Sequence, residues 1–186
     1  MYDFLYNIDL SIFNFLNQTI SNSLFDKFFP FITDVKNWYI AFICLWLIVI
    51  FKGGRLGKIS AVGVIVLIVI SDQLSSHLLK PFFERIRPCN VVENVHLLVS
   101  CTKSYSMPSS HAVNNFAVAV FFSKLFPKFK IALFTVAVLV SLSRPIVGVH
   151  YFSDIFVGAI IGSIIGYLLS LVAIKIDNKI QNKLIK

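Results

Sequence analysis

The chain has 186 residues, 57% of them apolar and 14% charged, with a mean hydropathy of +0.81. Ordinary soluble domains are about 45–50% apolar and about 25% charged. The composition therefore excludes a water-soluble enzyme, a disordered chain, a collagen and a disulfide mini-protein. The 17 Lys and Arg outnumber the 9 Asp and Glu, a formal +8. These cations sit in short loops and a tail between apolar runs, which is a pattern of membrane topology rather than of nucleic-acid binding. The expectation is one integral membrane domain over residues 1–186, in contact with the bilayer and with no nucleic-acid partner.

In chain order, residues 9–25 read as an amphipathic helix of low charge. Leu10, Phe13, Leu16, Ile20 and Leu24 make its apolar face, and Asn14, Asn17, Gln18 and Ser21 fall elsewhere. It is expected to lie in the interfacial plane, the alternative being a sixth, tilted span. Five spans follow, at about residues 31–51, 59–80, 110–126, 130–143 and 150–176, where a spanning helix needs roughly 20 residues. The third and fourth are short. All six prolines fall at the boundaries of these runs, as expected if the runs are helices. The first ten residues carry Asp3 and Asp9 and no basic residue, against a cleavable signal peptide. The fold class is thus all-α: a polytopic membrane helix bundle of five spanning helices plus an N-terminal amphipathic helix, a six-helix core.

Loop charge sets the orientation. Lys52, Arg55 and Lys58, then Lys124, Lys128 and Lys130, then Lys175, Lys179, Lys183 and Lys186 all fall on one side of a five-span chain. That side is the cytoplasm, so the C-terminus is cytoplasmic. The loops at residues 81–109 and 144–149 then face outside. Cys89 and Cys101 lie in the first of these, 12 positions apart. A disulfide is expected there, two free thiols being the alternative. Cys44, in an apolar run, reads as inert core.

Three segments hold most of the unusual polar residues: 80–88, 108–111 and 143–154. Each lies at the outer end of an expected helix, although loop charge alone set the topology. Lys80, Arg87 and Arg144 are three cations at one interface, and Arg forks match phosphate oxygens. Ser109 and Ser110 begin a helix whose free N–H groups favour an anion. His150 and Asp154 are four apart on one helical face. Asp154 fixes one imidazole nitrogen, which leaves the other free to attack phosphorus. His111, from another helix, is placed to protonate a leaving oxygen. No cluster has metal-ligand spacing, so neither metal nor cofactor is expected.

Other features rate lower. Asp72, Ser76 and Lys80 form a polar stripe facing the bundle, with Gln73 and His77 beside it. Gly158, Gly162 and Gly166 recur every four residues as a close-packing face, expected to be intramolecular. Arg85 is a further candidate cation, while His96 and Lys103 read as solvated loop residues.

The pattern K-x6-RP, P-S-x-H, S-R-x5-H-x3-D over residues 80–154 resembles the type-2 phosphatidic acid phosphatase superfamily of integral membrane lipid phosphatases. The resemblance implies a six-helix core and metal-independent hydrolysis through a phosphohistidine on His150, oriented by Asp154. It implies His111 as the acid and Lys80, Arg87, Ser109, Ser110 and Arg144 as the phosphate cradle. Ser110 stands where the family's motif usually has glycine. The function expected is removal of phosphate from a membrane lipid at the periplasmic face of a bacterial inner membrane. Lipid A 1-phosphate is favoured, because the only sizeable outer loop is too short to build a lid over the site. Undecaprenyl diphosphate, phosphatidylglycerol phosphate and a lipid phosphotransferase reaction are the alternatives, with a phosphate-binding or transport protein as the non-enzyme reading. The sequence does not mark an oligomeric state.

Overall fold

The computed structural model describes residues 2–184; Lys186, the last lysine of the basic tail, lies outside the described residues. Helix α1 (Tyr2–Asn14) runs into a wide π turn (Phe15–Thr19) and is followed by α2 (Phe25–Thr33). A 3-10 turn (Val35–Trp38) leads into α3 (Tyr39–Lys52), and α4 (Gly54–Gln73) continues through a π segment (Leu74–Leu79) into α5 (Lys80–Phe83). A single turn, α6 (Pro88–Val91), interrupts the outer loop before α7 (Ser110–Leu125), α8 (Lys130–Ile146) and α9 (Phe152–Leu184). No strand occurs among the described residues.

Four stretches are long and apolar enough to cross a membrane: Val35–Lys52, Gly54–Val91, Pro127–Ile146 and Phe152–Leu184. Their outward faces carry Ile40, Phe51, Val62, Ile131, Phe156 and Leu168 to the surface, as a lipid-facing bundle requires. With 16 residues, α7 rises about 24 Å, short of a hydrocarbon core of roughly 30 Å. It is instead the inner helix, held between α4, α8 and α9, with Ala112, Val113, Ala117, Ala119 and Phe121 enclosed. Glycine makes this possible. A Cβ at Gly162 would lie 2.2 Å from the Val113 carbonyl oxygen, and one at Gly166 2.3 Å from that of Ala117. The glycine stripe is therefore the seam on which α7 and α9 meet backbone to backbone, as its spacing suggested.

The N-terminal region departs from expectation. In place of one helix over 9–25 there are two, because Asn22 intervenes. Its side-chain oxygen accepts the N–H groups of Leu24 and Phe25, capping α2 and breaking the chain from α1. The inward face of α1 and its π turn is Asp9, Phe13 and Asn17, while Phe4, Leu5, Ile8 and Phe15 point outward. Asn17 was expected on the polar outer face. It is buried because its amide serves three backbone groups: it donates to the carbonyls of His96 and Ile146 and accepts the His96 N–H. Because α2 is a helix in its own right, the first span begins at Val35 rather than Phe31.

Pro30 and Pro145 do lie inside helices, in α2 and α8, but within their last turns, so few helical residues follow the lost N–H. The polar stripe on α4 is displaced by one residue from Asp72 and Ser76 to Ser71 and Ser75, which are buried against α7. Ser71 donates to the Asn114 side chain at 2.8 Å, and the Ser75 and Ser110 hydroxyls lie 2.9 Å apart. Cys44 is exposed, not core, because no residue of α3 is buried. Cys89 and Cys101 form the disulfide.

Two outcomes are expected. A closed loop of this size contributes about 3 kcal/mol, so Cys89→Ser or Cys101→Ser should melt earlier than the parent under oxidising conditions. Adding reductant should bring the parent down to the variants. Gly162→Leu should lower the melting temperature by the equivalent of about 1–3 kcal/mol, since neither backbone can yield to the added side chain.

Candidate active site

The site is assembled at one end of the bundle from four chain segments. Lys80 arrives first. From Leu67 the buried positions of α4 run Ser71 and Ser75, and then Lys80 five residues on. A regular helix would place Leu79 nearer that face. The π segment adds the extra residue and turns Lys80 inward, within electrostatic reach of Arg87, Arg144 and Asp154. Glu84, in the left-handed region at φ 47°, ends the helix. The chain then turns to present Arg85 and Arg87.

Arg87 is 6% exposed. It donates to the Ser104 carbonyl at 2.8 Å, the Ser104 hydroxyl at 3.0 Å and the Val149 carbonyl at 3.0 Å. Its remaining contact is Nε2 of His150, at 3.0 Å. An arginine only donates, so Nε2 is the acceptor and the proton resides on Nδ1. That proton faces Asp154 Oδ2 at 3.3 Å and Ser106 Oγ at 3.2 Å. Burial lowers the His150 imidazole to about 3; the Asp154 carboxylate works against this and the Arg87 and Arg144 charges add to it. The ring is neutral at pH 7.

Local backbone demands position this histidine. Gly148 precedes it at φ 91°, where a Cβ would meet Val95 at 2.8 Å. Asp154 lies in the first turn of α9, and its Oδ2 accepts the Tyr151 N–H at 2.8 Å, which satisfies one free donor of the helix start. Its backbone carbonyl takes the Ser109 N–H at 3.1 Å. One residue thus orients the imidazole, caps α9 and docks the start of α7.

At that start, the N–H groups of Ser110, His111 and Ala112 have no turn before them. The Ser109 hydroxyl is enclosed and has no partner among the described residues, and the same holds for Arg144 Nε. Arg144 is fixed by a 2.7 Å bond from its terminal nitrogen to the Thr33 hydroxyl. His111 Nε2 lies 3.3 Å from the Thr33 carbonyl and within electrostatic reach of His150, Arg144 and Lys80. Helix α2 thereby holds both His111 and Arg144 through a single residue. The Ser110 hydroxyl is engaged by Ser75, leaving its backbone N–H as the group aimed outward.

The structure brings together all eight residues singled out in the sequence: Lys80, Arg87, Ser109, Ser110, His111, Arg144, His150 and Asp154. It corrects one detail, since the second nitrogen of His150 is not free but bound by Arg87. Arg85 is not a spare cation; its donors go to Asp154 Oδ1 at 2.8 Å and Asp9 Oδ2 at 2.6 Å. His96 is not simply solvated, for its Nε2 lies 3.0 Å from Asp26 Oδ1. Ser104, Ser106, Thr33 and Asp9 were missed. The loop serines carry no spacing signal, and Thr33 acts partly through its carbonyl. The one available hint was at Asp9, an acidic residue four positions before Phe13 and so on that residue's side of the helix. Among the described residues no group of three or more His, Cys, Asp or Glu is placed to hold a metal ion. The charged lining is dominated by cations, which suits an anion.

Comparison with known proteins agrees. The chain is 29% identical over 163 residues to a lipid A 4'-phosphatase of Porphyromonas gingivalis, an alignment covering 84% of this chain and 69% of the relative. It is 29% identical over 169 residues to a lipid A 4'-phosphatase of Bacteroides thetaiotaomicron, covering 86% and 74%. The structure superposes on Aquifex aeolicus LpxE with a TM-score of 0.71 and 30% identity, over 88% of this chain and 94% of the other. It shares its fold with a PAP2-type phosphatidylglycerolphosphate phosphatase from Bacillus subtilis, with a TM-score of 0.66, 24% identity, and 95% and 87% covered. Residues 61–177, which carry Lys80 through Asp154, match the model of the PAP2 superfamily, and the chain belongs to that family of membrane lipid phosphatases.

Proposed function

We propose that residues 1–186 act as one domain that hydrolyses a phosphate ester of lipid A, with His150 as the nucleophile. The observation that carries this reading is a seat of donors that bind no group among the described residues. The Ser109 hydroxyl and Arg144 Nε are enclosed without partners, beside the free N–H groups of α7 and the neutral His150. Buried donors cost stability when unpaired, and a phosphoryl group in that seat would satisfy them.

In the proposed sequence Arg87 exchanges its bond to His150 Nε2 for one to a phosphate oxygen, which frees the Nε2 lone pair. Arg144, Lys80, Ser109 and the Ser110 N–H hold the other oxygens. Nε2 attacks phosphorus, and the bond to the lipid oxygen breaks as His111, which takes up a proton when the negative phosphate enters the seat, gives that proton to the oxygen. The positive charge that develops on the His150 ring is balanced by Asp154 through Nδ1–H. His111, now neutral, takes a proton from the water that attacks the phosphohistidine, and inorganic phosphate leaves. Each step uses only groups of the protein and water, so activity is expected without added metal. The basic loops lie at the far end of the spans from this seat, which supports a periplasmic site in a bacterial inner membrane and a cytoplasmic C-terminus. The relatives' names support lipid A. The open outer loop favours the 1-phosphate, and the curated relatives favour the 4'-phosphate.

Detergent-purified protein given lipid A, undecaprenyl diphosphate, phosphatidylglycerol phosphate and phosphatidic acid, with chelator present, should release phosphate fastest from lipid A. Mass spectrometry of the product identifies the position. His150→Ala should lose at least about 1,000-fold in kcat; a variant that releases phosphate near the parent rate would remove His150 as nucleophile. In the pH profile of kcat/KM the acid limb belongs to His150. Burial opposes its protonation, so that limb should fall well below the free imidazole value of about 6.5.

A further inference from the structure

We infer that Asp9, on α1, is a positioning residue for the phosphoryl transfer, acting through Arg85 on Asp154. The inference rests on the reading of His150 as nucleophile. It starts from the division of labour at the Asp154 carboxylate. Oδ2 takes the His150 Nδ1–H, the Ser106 hydroxyl and the Tyr151 N–H. Oδ1 is held by Arg85, at 2.8 Å. Asp154 is fully enclosed, so without Arg85 that oxygen would be an unpaired buried charge. The carboxylate would also be free to turn about its last torsion, which is intrinsically soft, and Oδ2 would leave the imidazole.

Arg85 is in turn fixed by Asp9. Its second terminal nitrogen lies 2.6 Å from Asp9 Oδ2, and Asp9 also takes the backbone N–H of Ser153 at 2.9 Å and the Ser153 hydroxyl. The Arg85 Cζ lies over Tyr151, 4.0 Å from its ring centre, and Tyr6 and Phe13 of α1 brace that ring. Both terminal nitrogens of Arg85 are committed to acids, so it is not part of the phosphate seat. A clamp between α1 and α9 alone would need only Asp9 and Ser153. The route through Arg85 reaches the carboxylate that orients the nucleophile. Asp9 lies outside the segment that matches the family model, residues 61–177, so this control comes from the N-terminal helix.

The test uses the full chain in detergent with lipid A as substrate and inorganic phosphate as inhibitor. Asp9→Asn should cut kcat about 10-fold or more, since small misplacements of a reacting group are costly, with KM and the phosphate inhibition constant unchanged. Asp9→Glu, which keeps a carboxylate in reach, should recover most of the rate. Asp9→Asn combined with Arg85→Gln should be no slower than Arg85→Gln alone, because the two act in series. If Asp9→Asn does not fold, Ser153→Ala is read the same way, with a smaller loss in kcat alone expected. A parent-like kcat with only a lower melting temperature, in either variant, overturns the inference, as Asp9 would then be a structural clamp. So does Arg85→Gln acting on KM and phosphate inhibition with kcat intact, which would make Arg85 a phosphate ligand. His150→Ala separates the two levels: full turnover there defeats the nucleophile reading, whereas an inactive His150→Ala beside parent-like Asp9→Asn and Arg85→Gln defeats only this inference.

Discussion

The enclosed carboxylate of Asp154 is the constraint around which the outer half of the molecule is arranged. A charge with no access to water must be paired and hydrogen-bonded by the protein itself. Asp154 recruits an imidazole, a serine hydroxyl, a backbone N–H and a guanidinium for this purpose. Those partners come from the long outer loop and from the turn before α9. Satisfying one buried group therefore draws together segments that are otherwise distant in sequence. The imidazole's orientation is a by-product of the same accounting.

The packing below the site serves the same end. Helix α7 delivers a helix N-terminus to the seat only because α9 lets it approach along glycine. Without Gly158, Gly162 and Gly166 the two axes would separate, and Ser109 could not reach the Asp154 carbonyl. Helix α2 contributes Thr33, which holds Arg144 and His111 with its two oxygens. The disulfide closes the stretch between Arg87 and Ser104, two residues that bond to each other directly. Rigid supports of this kind keep buried cations aimed at one point despite their mutual repulsion.

Much of this was legible in the sequence. Hydropathy located four helices long and apolar enough to cross a membrane, because lipid imposes long apolar runs. The eight residues that the fold gathers at one end of the bundle stand out in the sequence, because several cations and a paired histidine are conspicuous against an apolar background. What stayed hidden obeys other rules. Asn17 looked like a surface residue, and nothing local reveals that its amide satisfies loop backbone far along the chain. Arg85 looked like one more cation until its acidic partners were known. The π segment left no compositional mark, so the polar stripe of α4 was assigned one residue out of phase. Ser106 sits in a loop rich in serine and threonine, and only the fold selects it.

That π segment separates two requirements that a regular helix would bind together. Each helical residue turns the chain by about 100°, so every face of a straight α4 would be fixed by any one of them. Here the stretch up to Ser75 follows the surface of α7, while the stretch from Lys80 follows the geometry of the anion seat. The inserted residue acts as a phase shifter between the two. Packing in the membrane interior can thus vary its side-chain register without re-aiming the ammonium group at the interface.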